Sequence, residues 1–240
     1  MFYFFNYFLN KKSVSLIEKI FTVMAKKKNI TQNDILSMYM DYVLTHNEEP
    51  KSVYLFSKEN NFDEQLFYAN FSSFEVIQSS IFEAFHSNTL ALLEKSEDYA
   101  NYDAKSKLLS YYYTLFENFT ANRSYVVYAL QHQKNMLKKV KSLNKFKEHF
   151  KNFIHSLDIP KLDFKQERIE KIQDKAISES AWLQLILTLK FWLEDTSPGF
   201  DKTDIFIEKS VNTSFDILDI APVKSVIDLG KFLYKEAVGK

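Results

Sequence analysis

The sequence predicts an all-α protein, and three observations carry that expectation. The 240 residues include only 3 Gly and 4 Pro, too few for the tight turns of a sheet-rich or dinucleotide-binding chain. Hydrophobic residues make up 46% of the chain and aromatics 16%, with 23 Phe and 14 Tyr. That supplies a large core and argues against global disorder. Apolar residues also recur at helical spacing behind polar capping clusters.

Each element has its own warrant. Thr31-Gln-Asn-Asp34 is an N-cap cluster, and Ile35, Met38, Tyr39, Tyr42 and Val43 follow it at helical spacing. Asn47-Glu-Glu-Pro50 ends that helix and Lys51-Ser52 opens the next. Asn60-Asn61 forms the turn, because Asn tolerates a left-handed backbone. Asp63 caps a third helix. Ser72-Ser73 caps a fourth, whose buried side is expected to hold Phe74, Ile77, Ile81, Phe82, Phe85 and Leu92. After Asn101-Tyr102-Asp103, the series Leu108, Tyr112, Leu115, Phe119 marks another buried face. A break near Thr120-Ala-Asn122 precedes Tyr125 to Leu130, and a lysine-rich helix runs from Lys134 to His155, interrupted by Pro160. Glu167 to Leu193 is one long helix. Its second half, residues 181–193, is apolar nearly all round and is expected to be buried on all faces. Pro198-Gly199 lies in the turn before an amphipathic helix from Asp201 to Asp219, and Pro222 precedes a short terminal helix at residues 223–237.

The opening Met1 to Leu9 is strongly apolar but too short to span a bilayer, which takes ~20 residues. It reads either as an upstream extension of a chain starting at Met24 or as an interfacial anchor with Lys11 and Lys12 at the headgroups. With 0 Cys, disulfides, thiol catalysis and cysteine-bound metals are excluded, which suits a reducing cytoplasm. His46, His86, His132, His149 and His155 show no metal-ligand spacing. No His-Glu-x-x-His, Gly-x-Ser-x-Gly or Gly-rich phosphate loop occurs. No enzyme, metal or cofactor is expected.

The stretch from Ser52 to Phe71 carries the strongest signal: two short helices, a tight turn, and the aromatic run Phe67-Tyr-Ala-Asn-Phe71, followed at once by Ser73-Phe-Glu-Val76 and a long helix. In this order and spacing it resembles the N-terminal unit of the TetR family of transcriptional regulators. Residues 181–193 and 201–218 stand where that family keeps its two dimerising helices, and the likeness extends over about residues 31–220. The resemblance implies a TetR-like fold. A three-helix helix-turn-helix unit at 31–73 would carry DNA binding, a larger helical ligand-binding and dimerisation domain would occupy 74–221, and 1–30 and 222–240 would flank them. It implies a ligand-responsive homodimer formed through 181–218. Ser52, Gln65, Tyr68 and Asn70 become the DNA-contacting candidates, Gln and Asn being able to read adenine. Tyr112, Phe116, Phe119, Tyr128 and Trp182 become the lining of a pocket for a small apolar or lipid-like ligand.

Charge complicates that expectation. Residues 31–93 hold two basic residues, Lys51 and Lys58, against nine acidic ones, a net −7. A surface that meets a polyanion is normally basic. Residues 134–175 hold twelve basic against six acidic residues, a net +6, and Lys134, Lys138, Lys141 and Lys145 share a helix face. The stretch 134–151 is therefore a candidate for an anionic membrane surface. A second reading follows: a lipid- or quinone-binding accessory protein of the same fold that has lost DNA binding.

Overall fold

The computed structural model describes residues 30–132, 142–160 and 167–219, with the single positions Leu229 and Phe232. The apolar opening, the lysines at 134–141 and the terminal helix expected at 223–237 therefore lie outside the described residues, apart from those two positions. Every regular element among the described residues is helical. In order they are α1 (Gln32–His46), α2 (Val53–Glu59), α3 (Glu64–Asn70), α4 (Phe74–Leu93), α5 (Ala104–Ala121), α6 (Arg123–Val127), α7 (Asn144–Ser156), α8 (Glu167–Glu194) and α9 (Asp201–Asp219). Short 3-10 turns at Tyr99–Asn101 and Pro198–Phe200 and a π turn at Tyr128–His132 join some of them.

Local chemistry accounts for the ends. Thr31 and Asp34 form a reciprocal capping box, with Asp34 N donating to Thr31 Oγ1 at 3.2 Å and Thr31 N donating to Asp34 Oδ2 at 2.8 Å. Ser52 Oγ accepts from Leu55 N at 3.2 Å, and Ser73 Oγ accepts from Val76 N at 3.4 Å. Asn47 ends α1 at φ 54°, and Asn61, not Asn60, takes the left-handed turn before α3 at φ 56°. Asp63 occupies the N-cap position of α3 but makes no side-chain capping bond, contrary to expectation.

Packing converts these helices into two linked clusters. In the first, Phe56 of α2 is wholly buried and meets five rings edge-on: Tyr39, Tyr42, Phe62, Phe67 and Phe74, at centroid distances from 5.7 to 6.3 Å. α1, α2 and α3 are thereby fixed around one side chain and against the start of α4. In the second, Phe119 of α5 touches Phe82 and Phe85 of α4, Phe116 of α5, Phe146 of α7 and Trp192 of α8, at 5.3 to 6.5 Å. α4 packs on α5 and α7, α8 on α7 and α9, and α9 on α5.

Two burial expectations need correction. Leu92 is 46% exposed and Leu93 is buried in its place: successive helical residues lie about 100° apart, so when one faces the body the other faces away. The apolar half of α8 is not buried on every face: Leu183 and Leu187 are 58% and 50% exposed. Leu185, Leu189 and Trp192 face the body, so one stripe of α8 is left without cover.

Since Phe119 joins four helices, Phe119→Ala is expected to destabilise the fold by about 3–5 kcal/mol. Chemical denaturation followed by circular dichroism checks this, and a loss below ~1 kcal/mol would remove Phe119 from the centre of the core.

Candidate functional site

The outer face of α2 and α3 is assembled by the Phe56 cluster. With Phe67 facing inward at 0% exposure, α3 turns Gln65 and Tyr68 outward, and Tyr68 is 57% exposed. Asn70 is half-buried and donates its side-chain amide to Leu66 O at 2.8 Å, so it is engaged with its own helix. The Ser52 hydroxyl is exposed and serves as the α2 cap. Gln65 and Tyr68 therefore share an open face, with Ser52 at the start of the neighbouring helix. Around them Tyr54 and Leu55 are 56% and 40% exposed, and Glu59 and Asp63 are exposed too. Lys58, 5.8 Å from the Tyr54 ring centroid, is one of two cations in the sequence between residues 31 and 93.

This unit is joined to the body through a buried polar contact that the sequence did not single out. Gln78 of α4, 3% exposed, donates to Tyr39 Oη at 2.7 Å and to Glu49 Oε1 at 2.9 Å. One amide thus connects α1, the α1–α2 loop and α4. α6 also packs on α1.

The expected pocket residues are distributed as follows. Tyr112, Phe116 and Phe119 line up along α5, with Tyr112 and Phe116 stacked at 6.3 Å and Phe116 against Trp192 at 6.1 Å. Trp182 lies across α7 from them, against Phe146 and Phe150 at 5.7 and 6.2 Å, and Phe150 in turn meets Tyr112 at 6.4 Å. Tyr112 and Trp182 pack on Phe150 and Phe116 packs on Phe119, and the wholly buried Tyr112 hydroxyl has no hydrogen-bond partner among the described residues. Tyr128 stands apart on the π turn, where burial and then the Glu49 carboxylate raise its phenol.

Beside that core lies a buried pair on α4 and α5. His86 Nδ1 and the Tyr111 hydroxyl share a hydrogen bond of 2.7 Å, and both rings touch Phe153 of α7, Tyr111 by stacking at 4.5 Å. Desolvation, and then the neighbouring His149, lower the His86 imidazole to about 4 despite Glu83. His86 is thus neutral at physiological pH.

The lysines of α7 reach across to other helices. Lys145 pairs with Glu83 at 3.0 Å, and Lys147 and Lys151 hold Glu179 of α8 at 2.9 and 2.8 Å. Glu179 falls to about 2 through its hydrogen bonds with Lys151 and Lys147. Part of the expected basic stripe is therefore balanced within the fold. Among the described residues there is no cluster of three metal-capable side chains, and no helix is long and apolar enough to cross a membrane.

The α8–α9 turn is built by two residues. Asp195 accepts from the backbone and hydroxyl of both Ser197 and Thr203 at 2.7–3.0 Å. Burial pushes its carboxyl up, but these four bonds outweigh it and hold the group at about 2. Arg123 of α6 donates to Trp192 O and Leu193 O at 3.2 Å each, capping α8, with its guanidinium 4.3 and 4.5 Å from the Trp192 and Phe200 rings.

The depressed His86 imidazole has a consequence for stability. In an unfolded chain it would titrate near ~6.5. Below that pH the unfolded state takes up a proton that the folded state refuses. Stability is therefore expected to fall as pH drops from ~6.5 to about 4, by up to ~1.4 kcal/mol per pH unit from this group. His86→Gln should flatten that limb in urea melts run across the window. An unchanged slope would show that His86 does not titrate this way.

A family model described as "Tetracyclin repressor-like, C-terminal domain" matches residues 107–233, from within α5 to beyond α9. The curated proteins include no match to the chain. The matched segment covers more than half of the 240 residues. It comprises most of the helical body on which the three-helix unit sits, and the chain therefore belongs to the tetracycline repressor-like (TetR) family.

Proposed function

We propose that this protein is a homodimeric transcriptional regulator. Residues 31–73 would bind DNA, and the helical body from residue 74 onward would dimerise and respond to a small apolar ligand. The observation that carries the proposal is the α3 face, where Gln65 and Tyr68 point outward from a rigid floor of Phe56, Phe67 and Phe74. A helix held this way can enter a major groove, with Gln reading adenine and Tyr contacting base or phosphate. Asn70 would have to release Leu66 O to take part. Such a protein would work in the cytoplasm.

The dimer is supported by the uncovered stripe on the last two helices. Leu183, Leu187, Ile205 and Ile217 are each about half exposed or more. A groove of about 520 Å³ between Phe191 and the α9 residues Ile205 and Phe206 lies on the same pair of helices. Exposed apolar surface of this kind marks an interaction site, and two copies pairing α8 and α9 would cover it by twofold symmetry.

The acidic surface favours a second reading. With Glu59 and Asp63 exposed near α3, and Lys51 and Lys58 the only Lys or Arg between residues 31 and 93, phosphate neutralisation within that stretch is poor. A lipid- or quinone-binding relative that no longer reads DNA would carry such a surface without penalty. For contact of residues 134–151 with an anionic membrane, Lys145, Lys147 and Lys151 would have to exchange carboxylate partners.

Fluorescence anisotropy with the DNA upstream of the protein's own gene, at several salt concentrations, distinguishes the two. A regulator binds that DNA more tightly than random duplex, and Gln65→Ala or Tyr68→Ala weakens specific binding by ~1–3 kcal/mol. Equal affinity for both duplexes at low salt would favour the second reading. Separately, Leu187→Glu is expected to convert a sedimenting dimer into a monomer; a wild-type monomer at micromolar concentration would refute the dimer.

A further inference from the structure

A second cavity, of about 370 Å³, opens between the end of α4, the Tyr99–Asn101 turn, α5 and the end of α7. It is distinct from the ring-filled region around Phe119. Leu90, Tyr99, Phe153 and Leu157 make its apolar wall, and Lys107 and Glu94 supply its charges. Phe153 and Leu157 are buried, at 7% and 5% exposed. Phe153 separates the cavity from the Tyr111–His86 pair, stacking on Tyr111 at 4.5 Å.

The two charges are not equivalent. Glu94 is exposed and hydrated, whereas Lys107 is half-buried. Lys145, Lys147 and Lys151 each hold a carboxylate, but among the described residues none pairs with Lys107. The Lys107 side chain lies against an apolar wall, and Glu94, the other charged residue of the cavity, forms no ion pair with it. The groove between α8 and α9 also has lysines, Lys202 and Lys209, but both are exposed to water. The nearby Glu94 disfavours a head group with several negative charges, such as a phosphate ester.

We propose that this cavity binds a monoanionic amphiphile: a carboxylate with an apolar body, its head on Lys107 and its body on Leu90, Tyr99, Phe153 and Leu157. The proposal rests on the ligand-responsive reading above and gives the ligand a chemical class and a place. A cavity of this volume lies within the usual range for small-molecule sites, and its inner wall leans on the pair that joins α5 to α4.

Isothermal titration of the purified full chain with decanoate, decanol and decylamine tests it. Decanoate is expected to bind at least tenfold more tightly than either analogue. Lys107→Gln should erase that preference, while Lys209→Gln should keep it. Leu157→Trp, which fills the cavity and leaves Lys107 in place, should weaken decanoate tenfold or more. Equal binding of decanol, a preference that survives Lys107→Gln or is lost with Lys209→Gln, undiminished binding to Leu157→Trp, or no binding of decanoate would each overturn the assignment. Lys107-dependent decanoate binding by a protein that shows no preference among DNA duplexes would leave the site standing and sink only the DNA-reading function.

Discussion

The guanidinium of Arg123 is the interaction on which the arrangement of this molecule depends. It closes the C-terminal end of α8, lies over Trp192 and Phe200, and is rooted in α6, the short helix that also packs on α1. The N-terminal three-helix unit and the end of α8 therefore both meet this short element. Trp192 continues the link inward: its indole donates to Thr120 Oγ1 at 3.2 Å and its ring rests on Phe116 and Phe119. Arginine suits the position because its planar cation can donate to two carbonyls while lying against aromatic faces; a lysine could do only part of this.

Two faces of the N-terminal unit encode different things. Its inner face is aromatic and determines that α1, α2 and α3 fold around Phe56. Its outer face is acidic and polar, and decides what the unit can touch. The rings around Phe56 hold one another by packing, whereas Lys58, Glu59 and Asp63 are exposed to water outside that cluster. Fold membership and DNA affinity are therefore separate questions for this chain. The first is answered by the match over residues 107–233 and the packed rings; the second rests on Gln65, Tyr68 and a sparse set of cations.

Much of the architecture was legible because it is written locally. Capping at Thr31, Ser52 and Ser73, the left-handed Asn61 and the spacing of Leu108, Tyr112, Leu115 and Phe119 all depend on near neighbours in sequence. The open stripe at Leu183 and Leu187 was not legible, since an all-round apolar helix looks the same whether its cover comes from its own chain or from another. The ion pairs of Lys145 and Lys151 with Glu83 and Glu179 span 62 and 28 residues, beyond any periodicity. Gln78 and His86 sit on the apolar face of α4, where a polar residue is a visible anomaly, but their partners Tyr39 and Tyr111 are set by tertiary packing. The cavity at Lys107 draws on four separate segments and left no trace in the pattern of any one of them.

The turn at Asp195 has a mechanical meaning. A single carboxylate engages Ser197 and Thr203 through four bonds, and Gly199 and Phe200 follow with φ of 67° and 65°. Together with Arg123 this makes α8 and α9 a stiff bracket instead of two independent rods. In a twofold assembly built on that bracket, the seam would act as a fixed fulcrum. Rearrangement within each subunit would be geared outward to the two distant α3 helices, altering their separation while the seam itself kept its shape.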